Sequence, residues 1–201
     1  LAAISLSYLY IESYSSRMQN RTNYLATFQK YKNHPSCRIS HHDISYRQRG
    51  AQFDAISKIT VTNPKTTPID SILLYLNPGL SVKSIASDGH PLEYHRDRQT
   101  ILIAHSLQPR QTLHLQLEYT GNIDEDIYQA DISNDHYFFI EHYYRPYEKY
   151  GKRTAFVSDN LTLLIPEILW YPSAVSPIKA DAIQETDYTD YTLHVRTIDS
   201  L

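Results

Sequence analysis

The sequence has little of what several large classes of protein depend on. It contains one cysteine, Cys37, and five glycines among 201 residues. A single cysteine excludes an internal disulfide framework, a cysteine-rich zinc module and an iron–sulfur site. Neither G-x-G-x-x-G nor the P-loop pattern occurs, which excludes the common nucleotide-binding loops. A formal net charge of −3 offers no basic field for nucleic acid, so we expect no nucleic-acid partner.

The motifs of common hydrolases are also missing. No histidine is followed by glutamate, so the zinc pattern H-E-x-x-H is absent, as is the G-x-S-x-G pattern of serine hydrolases. His41 and His42 would lie on opposite faces of a strand, where they could not chelate one ion. The carboxylates at 124–126 lack the spaced ligands of a calcium loop and are typical of a solvated turn. We therefore expect no catalytic residue, no metal site and no cofactor in this chain.

The distribution of apolar residues indicates a mainly β fold. Apolar residues at helical spacing predict a helix over 7–32, which would end at Asn33-His34-Pro35 because the residue before a proline avoids the helical conformation. Strand-like runs then follow, separated by turn signals such as Pro78-Gly79 and Asp88-Gly89. This order predicts an antiparallel β-sandwich with an N-terminal α-helix, divided into a helical segment 1–35 and a sandwich 36–201.

The first eleven residues are apolar apart from two serines and the tyrosines. This stretch is too short to span a bilayer, and it lacks the basic flank of a signal peptide. Since the sequence begins at Leu1 rather than methionine, we expect a processed product or a piece of a longer protein. Two interpretations stay open for the segment. It is either the tail of a membrane or signal helix, or a helix that packs on its own domain.

Tyrosine is unusually frequent, with 18 residues against five phenylalanines and one tryptophan. Four tyrosines in one loop form a candidate interaction surface: Tyr143, Tyr144, Tyr147 and Tyr150. Tyrosine combines a large, rigid contact area with a polar tip, so an exposed cluster would suit a protein, a peptide or a sugar. The alternative is that these rings pack in the core or at its rim.

The order of the elements, rather than any catalytic motif, resembles the N-terminal β-sandwich domain of the aminopeptidase N-like (gluzincin) zinc peptidases. The resemblance covers most of residues 38–198. The matching pieces are Ile59-Thr60-Val61-Thr62-Asn63, residues 72–80, residues 82–85 before Asp88-Gly89, Leu107-Gln108-Pro109 and residues 115–123. Downstream, Trp170-Tyr171-Pro172 is similar to the W-Y-P or F-P element of that family, and residues 191–195 would form the next strand.

The resemblance implies that the zinc ligands and the general base lie in a following helical domain, so this chain should not hydrolyse peptides alone. A Gln or Glu of the family's sandwich often holds the amino terminus of the substrate, but counting back from Pro172 places Leu163 there. The resemblance also implies that the C-terminal strands of the sandwich are truncated at Leu201. The N-terminal helix is similar to that of membrane-tethered bacterial members, which include ABC-transporter permeases.

We therefore expect a non-catalytic, extracytoplasmic domain of a larger membrane-anchored aminopeptidase-like protein. It would be periplasmic and tethered to the cytoplasmic membrane. Its partner would be the peptidase-like domain of the same parent chain, and it would wall one side of the cleft that receives a peptide substrate. The alternative is an independent carbohydrate- or protein-binding module that uses the loop from Tyr143 to Tyr150.

Overall fold

One long helix precedes nine strands in the part of the chain that the structure describes. The structure is a computed structural model, and it describes residues 2–128, 130–132, 156–158, 161–178 and 189–196. The elements are α1 (Ala2–Tyr31), β1 (Arg38–Arg49), β2 (Gln52–Thr62), β3 (Ile72–Tyr75), β4 (Leu80–Ser87), β5 (His90–Pro91), β6 (Tyr94–Asp97), β7 (Thr100–Ile103), β8 (Thr112–Asn122) and β9 (Asp190–Arg196). Two short 3-10 helices lie at Glu125–Ile127 and Pro166–Ile168.

The strands form two sheets, and the predicted mainly β fold with an N-terminal helix is confirmed. The six-stranded sheet has the order β5-β4-β8-β2-β1-β9, and the three-stranded sheet has the order β3-β7-β6. The described pairings are antiparallel with one exception, which is β9 running parallel to β1. That pairing joins strands about 150 residues apart, so alternation within either strand could not have predicted its direction.

Alternation of apolar and polar residues gives the large sheet a buried and a polar face. In β8, Leu115, Leu117 and Tyr119 are buried, whereas the intervening side chains are partly exposed, as the sequence predicts. The buried face packs against Ile72, Leu74 and other residues of the small sheet in one apolar core. Each fully buried Leu or Ile there contributes about 1.5–3 kcal/mol relative to an exposed one.

The turn at Asp88-Gly89 has the geometry that the sequence predicts. Both residues have positive φ angles, 49° for Asp88 and 80° for Gly89, and they connect β4 to β5 as a tight hairpin. Glycine is required for a different reason at Gly79, where an added Cβ would lie 2.2 Å from the carbonyl oxygen of Asn122. This close backbone approach fixes the start of β4 against the end of β8.

The helix α1 covers the outer face of the small sheet, so the molecule has three layers. Tyr24 is buried in a second apolar cluster with Leu73 and Tyr75 of β3 and Leu169. The sequence predicts a helix that begins at residue 7, whereas α1 begins at Ala2. The side chains of residues 5 and 6 are exposed, so helical periodicity does not reveal this earlier part of the helix. The division of the chain into 1–35 and 36–201 stays a prediction.

Candidate functional site

Polar side chains fix the C-terminal part of α1 to the sandwich. The Arg17 Nε donates a hydrogen bond to Asp126 Oδ1 at 3.1 Å, and the Asn20 Nδ2 donates to Asp126 Oδ2 at 2.9 Å. One turn further along, the Tyr24 hydroxyl donates to Asp124. Burial and this carboxylate raise the pKa of Tyr24, so the phenol stays protonated as the donor. One helix face therefore meets one acidic turn.

The most deeply buried of these contacts is made by Arg21, whose side chain is 1% exposed. Its Nη1 donates to the carbonyl oxygen of Tyr128, and its Nη2 donates to that of Ile132, each at 2.9 Å. Burying a guanidinium is costly unless hydrogen bonds compensate, so these two bonds strongly favour this position of the helix. Gln99, in the turn between β6 and β7, also donates to the backbone carbonyl of Tyr24 at 2.8 Å.

The end of α1 is held by a second acidic group. Lys30 makes an ion pair with Asp97 at 2.7 Å, and the Tyr31 hydroxyl donates to the same carboxylate at 3.2 Å. The hydrogen bond from Lys30 lowers the pKa of Asp97, so the carboxylate remains ionised well into acid. Contacts near both ends of the docked segment thus resist rotation and sliding of the helix.

The acidic turn at 124–126 is not the solvated turn that the sequence indicates. Asp126 is 8% exposed and receives Arg17 and Asn20. Asp124 also accepts from the backbone N–H of Asp126, which caps the short helix, and Glu125 accepts from the backbone N–H of Phe156 at 2.7 Å. All three carboxylates therefore accept hydrogen bonds from donors within the protein. Their partners lie far away in sequence, which is why the run alone looked like exposed surface.

The N-terminal part of α1 projects away from the sandwich. Every side chain over residues 5–13 is exposed. The large apolar residues of this projecting end, with exposed fractions between 59% and 67%, are Leu6, Tyr8, Leu9, Tyr10 and Ile11. Successive helical residues are about 100° apart, so these side chains surround the helix instead of forming one stripe. No described helix is both long and apolar enough to cross a membrane.

A buried polar chain crosses the inner face of the large sheet. The His42 Nε2 lies 3.1 Å from the Ser57 hydroxyl, which lies 3.0 Å from the Tyr119 hydroxyl. Burial lowers the pKa of His42 to about 3, because the charged imidazolium would be poorly solvated there. His41 is exposed on the other face, as predicted for adjacent strand residues. His42, Ser57 and Tyr119 are all at most 1% exposed, so these three hydrogen-bonded side chains offer no surface to a substrate.

The outer face of the large sheet carries an open hollow of about 960 Å³ with charges of both signs. Asp54 accepts from Thr120 at 2.6 Å and pairs with Arg49 and Lys83. The Thr120 hydroxyl is the main reason that the pKa of Asp54 is lowered. His194 lies 3.3 Å from Asp43. Within the described ranges, no three His, Cys, Asp or Glu side chains are grouped so that they could hold a metal ion.

The candidate interaction residues Tyr143, Tyr144, Tyr147 and Tyr150 lie outside the described residues, so their role stays a prediction. Leu163, where the resemblance would place the substrate anchor, is partly buried and packs against the core. Sequence reasoning missed the docking residues of α1. One signal for them was available, since Arg17, Arg21, Tyr24 and Tyr31 recur at helical spacing on one side.

Comparisons with known proteins give matches among solved structures alone. No family model and no curated protein matches the sequence. The M1 zinc metallopeptidase from Deinococcus radiodurans is 21% identical over 44% of this chain and 21% of its own chain, with a TM-score of 0.40. A mutant of that enzyme bound to a Tyr-Ser-Ala substrate is 20% identical over the same shares, with a TM-score of 0.41. The match thus spans about a fifth of the length of these structures.

Proposed function

We propose that this chain is a non-catalytic, extracytoplasmic domain of a larger membrane-anchored aminopeptidase-like protein, of the type that includes ABC-transporter permeases. The helix α1 would hold the sandwich at the outer surface of the cytoplasmic membrane. The peptidase-like domain of the same parent would pack against the sandwich, which would wall one side of the peptide cleft. The observation that carries the membrane part of this proposal is the projecting end of α1.

The projecting end has the surface expected of a helix that enters a lipid environment. Its apolar side chains point in all directions, whereas a helix that docks into a protein groove needs a single apolar stripe. Tyr8 and Tyr10 are also of the residue type that prefers the boundary between lipid and water. Residues 5–13 extend for about 13 Å at about 1.5 Å per residue, which is enough to reach into the headgroup region.

Firm docking of α1 supports the tethering role. Arg21 and Asp126 connect the helix to the loops that leave β8, and Lys30 connects it to the end of β6. Because these contacts lie near both ends of the docked segment, a membrane that orients the projecting end would also orient the sandwich. The peptidase-like partner is inferred from the sequence resemblance over residues 38–198.

Flotation with lipid vesicles tests the tether. The protein should float with vesicles of phosphatidylethanolamine and phosphatidylglycerol, and the triple variant Leu6→Ser, Leu9→Ser, Ile11→Ser should partition at least about tenfold less, since burial of each apolar side chain contributes about 1.5–3 kcal/mol. A matched control replaces three exposed apolar residues outside α1, Ile56→Ser, Tyr94→Ser and Leu161→Ser. The control should float like the original protein. Equal flotation of all three proteins would contradict the proposal.

A further inference from the structure

One end of the sandwich lies on the side toward which α1 projects. His34, just after α1, contacts Ser71 at the start of β3, whereas Tyr24 contacts Asp124 just after β8. Beyond the other end of β3, Asn77 donates to the carbonyl oxygen of Asp124. The helix therefore runs, from its C-terminus to its N-terminus, toward the end of the sandwich where β8 finishes. The hairpin between β1 and β2 lies at this same end, because the last residue of β8 is in register with the first residue of β2.

The outer face of the large sheet is basic at this end. Arg47 of β1 and Arg196 of β9 are in register, and both line the outer hollow. Beside them, Arg49 and Lys83 share one carboxylate, that of Asp54. Four basic side chains therefore accompany one acidic side chain, although the whole chain carries a formal net charge of −3.

The rest of the hollow has a more even balance of charge. Asp43 is in register with Lys58 and lies 3.3 Å from His194. Glu118, the other carboxylate that lines the hollow, is in register with Ile56 in the middle of the face. The excess of basic side chains is thus concentrated toward the end to which α1 projects.

Arg47 and Arg196 are adjacent like charges. Within the described part of the chain, neither of them makes an ion pair, and both side chains are exposed. Like charges directly beside each other on neighbouring strands destabilise a sheet. An anion bound between the two groups would remove this repulsion, and the planar guanidinium group matches the geometry of phosphate oxygens.

The position of the projecting end determines how close this part of the sheet would come to a membrane. The exposed stretch 5–13 ends four residues, or about 6 Å, before Arg17, which contacts Asp126 at the end of the sandwich. The Debye length is about 8 Å at physiological ionic strength, so charges on a membrane entered by residues 5–13 would act on this end. The acidic turn at 124–126 lies there too, but it faces α1, which donates hydrogen bonds to it.

We propose that the basic end of the outer hollow, formed by Arg47, Arg49, Lys83 and Arg196, binds the headgroup phosphates of phosphatidylglycerol in the membrane that holds α1. This inference rests on the proposed function, which places a membrane at the projecting end. The helix and the basic end belong to opposite outer layers of the molecule. They would therefore make two separate contacts, and the second contact would limit tilting of the sandwich about the helix.

Binding to two kinds of vesicle separates this contact from the tether. Vesicles of phosphatidylcholine report the projecting end alone, and vesicles of equal parts phosphatidylcholine and phosphatidylglycerol report both contacts. The protein should bind the anionic vesicles at least about tenfold more tightly. The double variant Arg47→Gln, Arg196→Gln should lose most of this preference and should bind neutral vesicles like the original protein. The variant Arg47→Lys, Arg196→Lys keeps both charges and should keep most of the preference.

A matched control removes two basic groups from the opposite end of the sheet. Lys65 follows β2 and Arg110 precedes β8, and both side chains are exposed. The variant Lys65→Gln, Arg110→Gln has the same net charge as Arg47→Gln, Arg196→Gln. It should keep the preference of the original protein, because the charges that it lacks lie far from the membrane.

Several results would overturn the lipid contact. They are a preference that Arg47→Gln, Arg196→Gln retains, an equal loss in the matched control, and competition by inorganic phosphate beyond that of chloride at the same ionic strength. Equal binding of the original protein to both kinds of vesicle would overturn the contact and leave the tether intact, whereas binding to neither would overturn both. Binding to anionic vesicles alone, abolished in Arg47→Gln, Arg196→Gln, would support the contact and contradict the tether.

Discussion

At the scale of single residues, burial decides what the polar groups of this protein do. His42, Ser57 and Tyr119 are as close as members of a catalytic triad, yet all three are covered by the core. Burial lowers the pKa of His42 to about 3 and raises that of Tyr119. Both groups are therefore neutral over the physiological range. These side chains contribute to the stability of the fold, and the contribution of His42 depends on pH.

His42 should make the fold sensitive to mild acid. Its pKa is near 6.5 in the unfolded chain and about 3 in the folded one, so below pH 6.5 the unfolded state binds a proton that the folded state does not. The free energy of unfolding should therefore decrease by about 1.5 kcal/mol between pH 6.5 and pH 5, and continue to fall toward pH 3. Denaturant titrations at several pH values measure this loss.

The variant His42→Gln can still hydrogen-bond with Ser57 but does not titrate, so it should remove most of the slope between pH 6.5 and pH 5. His41→Gln is the matched control, since it removes a neighbouring histidine whose side chain is exposed. The control should keep the slope of the original protein. A slope in His42→Gln as steep as that of the original would show that other groups cause the acid sensitivity.

At the scale of elements, α1 acts as a rigid attachment whose two parts have opposite character. Its C-terminal part is fixed by buried polar contacts, and its N-terminal part is exposed on all sides. The sequence predicts the helix and its end before Pro35. It does not predict the docking, because Arg17 and Asp126 are 109 residues apart and each looks like an ordinary surface charge.

Docking of α1 should depend more on Arg21 than on Arg17. The change Arg21→Met leaves the carbonyl groups of Tyr128 and Ile132 without these donors, and it should cost about 3 kcal/mol. Arg17→Met is the same change four residues earlier, at a side chain that is 36% exposed, and it should cost less than about 1 kcal/mol. Hydrogen exchange of the amides in residues 17–31 measures the release of the helix.

In Arg21→Met, exchange should accelerate in α1 while β2 and β8 stay protected, because the sandwich core does not depend on the helix for its own pairing. Equal acceleration in the two variants would show that the buried guanidinium is no more important than the surface ion pair. Loss of protection throughout the sandwich would show that α1 is part of the core rather than an attachment.

At the scale of the whole molecule, local patterns predicted the fold class but not the assembly of its parts. Alternation along β8 and the turn at Asp88-Gly89 specify strands and a hairpin through near neighbours in sequence. The parallel position of β9 and the role of the acidic turn depend on contacts between distant segments. No local pattern reports such contacts, so the position of β9 beside β1 is visible only in the folded structure.

The coding sequence on both sides of residues 1–201 tests the central claim most directly. If this chain is a domain of a membrane-anchored aminopeptidase-like protein, an apolar segment of about 20 residues should precede it in the same reading frame. A helical domain with H-E-x-x-H should follow it within a few hundred codons. A stop codon soon after Leu201, together with the absence of an upstream apolar segment, would contradict the account.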